Sequence, residues 1–214
     1  MMVKEQESVI SPEELPCNAR ATTIPLVDGT LQWYPTFLSA EVADTLLRTF
    51  ESKVTWRQDF LQMGARHITI PRLQAWYGDQ GYRYSGLWLE PAPFLGEHHV
   101  LLKILRESLG LRINSVLMNL YRDGNDSVGW HADDESVLGE NPCIASLSLG
   151  GTRRFHLRHR QDSRQRLSLE LSHGSLLVMS GPIQHCWRHQ IPKTRRPVAP
   201  RINLTFRYLH PDRV

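Results

Sequence analysis

The sequence predicts a mainly β protein of the α+β class, in which two helices back an antiparallel sandwich or barrel. Short candidate strands follow one another closely after residue 112, turn residues separate them, and two amphipathic helices precede them. The 214 residues suffice for one domain with a substantial core. We expect a flexible tail over residues 1–22, an N-terminal extension over 23–112 and the β core over 113–214.

Both predicted helices show apolar residues at helical spacing. The first follows a candidate N-cap at Ser39, and the second runs from about His98 to Leu109 and stops at Gly110. The two histidines at the start of the second helix, His98 and His99, are expected to face solvent. The apolar stripes consist of Ala43, Leu46, Leu47 and Phe50 in the first helix, and of Leu101, Leu102, Leu105 and Leu109 in the second.

Six short strands are predicted in the second half of the chain, separated by sequences such as Asp-Gly-Asn and Gly-Pro that favour turns. They are Ser115–Tyr121, Cys143–Leu149, Arg154–His159, Leu167–Leu171, Ser175–Met179 and Ile202–Leu209.

Charge is unevenly distributed along the chain. Residues 151–214 hold 13 Lys and Arg against 3 Asp and Glu, whereas the remaining residues hold 12 against 19. A basic C-terminal third suits an anionic partner such as nucleic acid, although a basic soluble surface would look the same. No apolar stretch is long enough to span a membrane, and the acidic N-terminus does not resemble a signal peptide. Three widely spaced cysteines do not suggest a disulfide framework, so free thiols in a reducing cytoplasm are expected. We also expect a monomer.

A candidate metal site begins at His131 and Asp133. Residues two apart on a strand project to the same face, so these side chains can share one ion. A third ligand would come from His185 or His189. Two histidines and one carboxylate are the ligand set of non-haem Fe(II) oxygenases, but zinc hydrolases use the same set.

The second candidate site lies on the segment Arg201–Arg207, where polar and apolar residues alternate completely. Two extended arginines separated by roughly 20 Å of strand leave a gap suited to a small molecule with an acid at each end. A five-carbon diacid such as 2-oxoglutarate meets this description. Because Fe(II) needs an electron source to activate oxygen and a 2-oxo acid can supply it, this interpretation favours iron over zinc. Asn119 and Tyr121, again two apart, would line the same pocket.

The chain resembles the AlkB family of Fe(II)/2-oxoglutarate-dependent dioxygenases, most closely its DNA-repair branch. The matching segments cover most of residues 115–208 in the family's order. They are Asn-Leu-Tyr-Arg-Asp-Gly from 119, His-Ala-Asp-Asp-Glu from 131, Ile-Ala-Ser-Leu-Ser-Leu-Gly from 144, His-Gly-Ser-Leu-Leu-Val-Met from 173 and Pro-Arg-Ile-Asn-Leu-Thr-Phe-Arg from 200.

The resemblance implies a double-stranded β-helix (jelly-roll) core with a nucleotide-recognition lid in the N-terminal extension. It also implies oxidative demethylation of 1-methyladenine and 3-methylcytosine type lesions in DNA, with Fe(II), 2-oxoglutarate and O2. It selects His189 over His185 as the third metal ligand beside His131 and Asp133. The residues that it assigns to 2-oxoglutarate are Arg201 at the distal carboxylate, Arg207 at the metal-proximal end, and Asn119, Tyr121, Asn203 and Thr205 around them.

Substrate contacts are expected in the aromatic, irregular segment 56–94 and beside the metal ligands. By resemblance, Tyr84 stacks on the extruded base, Tyr82 hydrogen-bonds nearby and Asp134 contacts the base. Asp134 and Glu135 would attract the positive charge of such lesions. Met63 lies about where a relative carries an apolar wedge between bases, Arg72 and the segment 153–166 are candidate phosphate contacts, and Trp56 and Trp88 are expected to cover the core.

Two other functions remain open on the sequence. The same chemistry could act on RNA or protein, since a basic surface fits RNA as well as DNA. A metal-bearing jelly roll could also bind modified nucleic acid without turnover.

Overall fold

The computed structural model describes residues 8–11, 20–63, 66–84 and 87–213, without the side chains of residues 62, 63, 66, 67 and 84. The described chain contains fifteen strands, three helices and short 3-10 turns at Ser136–Leu138 and Pro211–Arg213. The helices are α1 (Ala40–Lys53), α2 (Gly96–Leu109) and α3 (Ile183–Cys186). The strands are β1 (Thr22–Leu26), β2 (Gly29–Tyr34), β3 (Phe60–Met63), β4 (Arg66–Thr69), β5 (Leu73–Gly78), β6 (Tyr82–Tyr84), β7 (Leu87–Leu89), β8 (Ser115–Tyr121), β9 (Val128–His131), β10 (Ile144–Gly150), β11 (Arg153–His159), β12 (Arg166–Leu171), β13 (Ser175–Ser180), β14 (Trp187–Ile191) and β15 (Arg201–Arg207).

Two antiparallel sheets form the jelly roll, which confirms the predicted fold class. The large sheet has seven strands in the order β1-β2-β13-β10-β15-β8-β5, and the small sheet has four in the order β12-β11-β14-β9. Apolar side chains from both sheets meet between them, including Tyr121 and Met179 from the large sheet and Phe155 and Trp187 from the small sheet. The hairpins β3-β4 and β6-β7 form two further small sheets.

The two long helices cover the other face of the large sheet, as predicted. Leu46 and Phe50 of α1 and Leu101 and Leu105 of α2 are buried against apolar residues of β8, β10 and β15. The side chain of Ser39 caps α1 by accepting the backbone N–H of Val42 at 3.3 Å. Because α1 and α2 pack on the outer face, the inner face of the large sheet remains available for a site between the sheets.

Part of the N-terminal extension belongs to the jelly roll. Strands β1, β2 and β5 all belong to the large sheet, and Ile10, within the predicted tail, is buried in the core. The region 56–94, predicted to be irregular, contains five short strands. Trp56 packs against the core as expected, but Trp88 does not, since it is 43% exposed. None of the described helices has the length and apolar character needed to cross a membrane.

His98 is buried, so the prediction that it faces solvent was wrong, whereas His99 is exposed as expected. The ring of His98 stacks on Phe50 at 5.1 Å, and its Nδ1 accepts the backbone N–H of Leu95 at 3.2 Å. This contact caps the first turn, and α2 begins at Gly96, two residues earlier than predicted. Burial lowers the pKa of His98 to about 3.

We expect His98 to make the fold sensitive to acid. The unfolded chain takes up a proton at this residue near pH 6.5, whereas the folded protein does so only near pH 3, so stability falls as pH falls between these values. His98→Gln cannot titrate but can still reach the Leu95 N–H. The free energy of unfolding, measured with urea between pH 6 and pH 4, should therefore fall more steeply with falling pH in the wild type than in His98→Gln, by roughly 1 kcal/mol per pH unit. The same dependence of the free energy of unfolding on pH in both proteins would contradict the role of His98.

Candidate metal and cofactor site

A cavity opens between the inner faces of the two sheets, with about 470 Å³ of empty space including its mouth. Strands β8, β10 and β15 form one wall, and strands β9, β11 and β14 form the other. The nine residues predicted for the metal and for 2-oxoglutarate all line this cavity. They are His131, Asp133, His189, Asn119, Tyr121, Arg201, Asn203, Thr205 and Arg207.

His131 and His189 face each other because their strands are paired. They are direct partners in the register of β9 and β14, and their ring centroids lie 4.3 Å apart. The Nδ1–H of His131 donates to the carbonyl oxygen of Gly129 at 2.8 Å, which leaves Nε2 free of a proton and able to bind a metal. Burial lowers the pKa of both imidazoles, that of His189 to about 3, so both are neutral at physiological pH. His185, on α3, does not line the cavity.

Asp133 follows β9 and is fixed from two directions. Its carboxylate accepts a 2.7 Å hydrogen bond from Nη2 of Arg207, and its backbone N–H donates to Oε1 of Gln184 at 3.0 Å. Burial alone would raise the pKa of Asp133, but the charge of the Arg207 guanidinium and the hydrogen bond that it donates lower it below its usual range. The side chain is therefore an ionised carboxylate, the protonation state that a metal ligand requires.

The ligand atoms of the three predicted metal ligands lie farther apart than in a closed metal site. Among the described residues, only Asp28, His159 and Cys186 have ligand atoms that all lie within 4.8 Å of one another. The carboxylate of Asp133 is instead engaged by Arg207. The donor set nevertheless fits Fe(II), because two neutral imidazoles and one carboxylate line the same cavity.

The tighter cluster of Asp28, His159 and Cys186 is not arranged to bind a metal. Nδ1 of His159 accepts the backbone N–H groups of Gln161 and Asp162, so the proton of the neutral ring lies on Nε2. That Nε2–H points at Oδ2 of Asp28, 3.3 Å away, and cannot also coordinate an ion. Burial raises the pKa of Cys186, which disfavours the thiolate that a metal would need.

Arg201 lies at the other end of the cavity and is 1% exposed. Its Nη2 donates to Oγ of Ser148 at 2.9 Å, and its guanidinium lies 5.2 Å from the centre of the Tyr121 ring. Nε and Nη1 are buried without a well-placed acceptor. Burial lowers the pKa of Arg201 to about 10, so it is still cationic at neutral pH. A buried cation with two unused donors is suited to receive a carboxylate.

Arg72 lines the cavity, and its predicted contact with phosphate stays a prediction. It is 5% exposed, and its Nε donates to Oδ1 of Asn119 at 2.6 Å. Gln74 donates to the same oxygen at 3.2 Å, which leaves the amide nitrogen of Asn119 as a donor. Arg153 is likewise 2% exposed, and it donates to backbone carbonyls of Asp126 and Pro192. Both arginines therefore have internal partners.

Two serines that were not predicted as site residues support the cavity wall. Ser146 and Ser148 lie on β10 opposite Thr205 and Asn203 of β15. The side-chain amide of Asn203 donates to Oγ of Ser146 and to the carbonyl of Leu147, so it orders the wall as well as lining the cavity. The alternation of serine with apolar residues in the predicted strand was the available signal.

Of the predicted substrate residues, Tyr82 and Glu135 lie near Arg207 and Asp133 at the metal end of the cavity. Tyr82 is 1% exposed, stacks on Trp76 at 4.8 Å and interacts with the Glu135 carboxyl. Burial, followed by the charge of Asp133, raises the pKa of Glu135. Asp134 is exposed and forms a 2.6 Å ion pair with Arg160. The predictions for Tyr84 and Met63 concern side chains outside the described residues.

Comparison with known proteins agrees with this site. The sequence model of the "2OG-Fe(II) oxygenase superfamily" matches residues 30–207, which include every lining residue named above. The "DNA oxidative demethylase ALKBH2" of Mus musculus is 37% identical over 192 residues, which cover 84% of this chain and 80% of that protein. The chain belongs to the AlkB family. Membership of this family confirms the predicted resemblance and the predicted need for Fe(II) and 2-oxoglutarate.

Two further relatives define how far the likeness extends. The human "Alpha-ketoglutarate-dependent dioxygenase alkB homolog 3" is 42% identical over 194 residues, which cover 84% of this AlkB-family chain but 66% of that protein. The chain thus spans a little less than two thirds of that relative. The solved structure titled "The structure of OsALKBH1" superposes with a TM-score of 0.61 at 18% identity, covering 88% of this chain and 100% of the other. This last likeness supports the jelly-roll fold alone.

Proposed function

We propose that this protein oxidatively demethylates N-alkylated bases of the 1-methyladenine and 3-methylcytosine type in DNA. The observation that carries the proposal is the convergence of His131, Asp133 and His189 with the buried Arg201 on one cavity. The names of the human and mouse relatives, a ketoglutarate-dependent dioxygenase and a DNA oxidative demethylase, support the reaction and the substrate class.

His131, Asp133 and His189 would hold Fe(II) in this reaction. Bound Fe(II) supplies the activation of O2 that couples oxidation of 2-oxoglutarate to hydroxylation of the N-linked alkyl carbon, after which the product collapses to aldehyde and restored base. The protein keeps both imidazoles neutral by burial and keeps the carboxylate ionised by its contact with Arg207. These protonation states remove the need to expel protons when the metal binds.

Arg201 and Arg207 would hold 2-oxoglutarate between them. Arg201 offers its unused Nε and Nη1 to the carboxylate far from the metal, while Ser148 and Tyr121 fix the orientation of its guanidinium. Arg207 contacts the metal ligand Asp133, so it lies at the metal end. Asn119, oriented by Arg72 and Gln74, presents its amide nitrogen between the two ends.

The carboxylates beside the metal end favour a cationic lesion. Asp134 follows Asp133 in the chain and is exposed, and Glu135 is half-buried beside Tyr82. A methylated base that carries positive charge gains Coulombic attraction from these groups, and an unmodified neutral base does not. Arg160, which pairs with Asp134 at 2.6 Å, would have to release it when a lesion is bound there.

The experiment compares single-stranded DNA, duplex DNA and RNA that carry the same methylated base. We expect formaldehyde and restored base from DNA, in amounts equal to the succinate formed, and only with Fe(II), 2-oxoglutarate and air. Unmethylated DNA is the control for uncoupled succinate formation.

The alternatives would give different results in the same assay. Turnover confined to RNA would show that the substrate is RNA and not DNA. Tight binding of methylated DNA without formaldehyde, although succinate forms in air, would contradict demethylation. Absence of succinate under all conditions would contradict oxygenase activity and favour a binding module.

A further inference from the structure

Three arginines form a row across the outer face of the small sheet, outside the cavity. In the antiparallel register, Arg158 of β11 lies directly opposite Arg166 of β12 on one side and Arg188 of β14 on the other. We call Arg158, Arg166 and Arg188 the arginine row. Arg166 and Arg188 are exposed and Arg158 is half-buried, whereas Leu157 and His189, their neighbours on the inner face, are buried.

The contacts of the arginine row within the fold are few: Nε of Arg166 donates to the carbonyl oxygen of Ser163 at 2.7 Å, and Arg158 lies over the Trp130 ring. Like charges directly opposite each other on neighbouring strands are destabilising. Among residues 8–11, 20–63, 66–84 and 87–213, no carboxylate lies within 4.0 Å of the row's guanidinium nitrogens. The outer face does offer an ion pair elsewhere, between Arg154 and Glu170 at 3.7 Å. Three cations in register, with no carboxylate partner in the described part of the chain, can attract an external anion.

The arginine row is connected to the cavity through Trp130. The guanidinium of Arg158 lies 4.2 Å from the centre of the Trp130 ring. Trp130 in turn lines a groove with Leu61, Ile68 and His131, and this groove holds about 640 Å³ of space including its open side. His131 and Arg72 line both the groove and the cavity. An apolar groove therefore runs from the predicted metal site to the arginine row.

We propose that the substrate strand leaves the cavity along this groove and that its phosphates lie on the arginine row. A base next to the target would stack on Trp130, because aromatic rings hold bases of any sequence. The row spans two interstrand spacings, about 10 Å, which allows contact with more than one phosphate of a single strand. This inference rests on the proposed function, since it assumes that the cavity receives a nucleobase.

The test uses a double variant, Arg166→Gln with Arg188→Gln, and a control that removes the same charge elsewhere. The control is Arg48→Gln with Lys103→Gln, two exposed residues on α1 and α2, which cover the far face of the large sheet. Binding of a fluorescent single-stranded oligonucleotide is followed by anisotropy at several salt concentrations. The row variant should bind about tenfold more weakly at low salt and lower the slope of log K against log salt by about 1.4. The control should keep the wild-type slope.

Trp130→Ala separates stacking from charge. It should weaken binding by about tenfold with the salt slope unchanged, because it removes a stacking surface and no cation. Thermal unfolding provides a second readout, in which the row variant should be at least as stable as the wild type. Equal affinities and salt slopes for the wild type and the row variant would overturn the inference, as would a row variant that unfolds earlier yet binds normally.

The outcomes also separate this inference from the proposed function. If the wild type demethylates DNA and the row variant binds the oligonucleotide normally, only the inference about the arginine row is overturned. A wild type that binds no oligonucleotide overturns both.

Discussion

Replacing Asp133 with alanine should abolish demethylation by removing Fe(II). The carboxylate is the only anionic member of the proposed ligand set. Changes to residues that merely support metal ligands typically cost about 10–100-fold in metal affinity or activity. The loss of a ligand itself should cost more. Metal affinity should therefore fall by more than about 100-fold. The measurement is Fe(II) or Mn(II) binding by calorimetry under anaerobic conditions, followed by the formaldehyde assay.

Loss of Asp133 also affects stability, so the experiment needs matched variants. Its side chain and that of Arg207 are 2% and 3% exposed, and removing one partner of a buried ion pair typically costs about 3–5 kcal/mol. Asp133→Asn keeps the size of the side chain and an acceptor for Arg207, so it should unfold later than Asp133→Ala while still losing the metal. His185→Ala, which alters a histidine outside the cavity, should bind metal normally. A folded Asp133→Asn protein with wild-type metal affinity would show that the ligand assignment is wrong.

Replacing Arg201 with glutamine should raise the KM for 2-oxoglutarate by about 100-fold or more while changing kcat much less at saturation. Two charge-assisted hydrogen bonds would be lost, each worth about 1.5–3 kcal/mol. Arg201→Lys should recover only part of the affinity, because an ammonium cannot donate bidentately to a carboxylate. Steady-state succinate formation over a range of 2-oxoglutarate concentrations measures both constants.

Ser148→Ala is the matched control for this prediction. It removes the 2.9 Å contact that orients Arg201 but keeps the guanidinium, so the KM should rise by less than about tenfold. If Arg201→Gln lowered kcat alone, or if Ser148→Ala had the larger effect on KM, Arg201 would not be the cofactor ligand.

Local alternation made the inner and outer faces of the strands predictable. The pattern of Arg201–Arg207 assigned Ile202, Leu204 and Phe206 to the core and the polar residues to the other face, and the structure agrees. Period-two patterns carry this information because successive side chains of a strand point to opposite faces. The same argument placed Asn119 and Tyr121 correctly.

Pairing between distant segments could not be read from the sequence. The register that opposes His131 and His189 depends on how β9 and β14 meet, and the contact between Asp133 and Arg207 joins residues 74 positions apart. The resemblance, rather than spacing, pointed to His189. The burial of Arg72 and His98 was missed for the same reason, since it depends on partners distant in the sequence, here Asn119 and the Phe50 ring.

The central claim is that metal and 2-oxoglutarate share one cavity between the sheets, and the most direct test is their thermodynamic coupling. Calorimetric titration of 2-oxoglutarate should be performed anaerobically, with and without Fe(II), on wild type and Asp133→Asn. We expect Fe(II) to tighten 2-oxoglutarate binding by at least about tenfold in the wild type and to have no effect in Asp133→Asn. An affinity for 2-oxoglutarate that is the same with and without Fe(II) in the wild type would contradict the central claim.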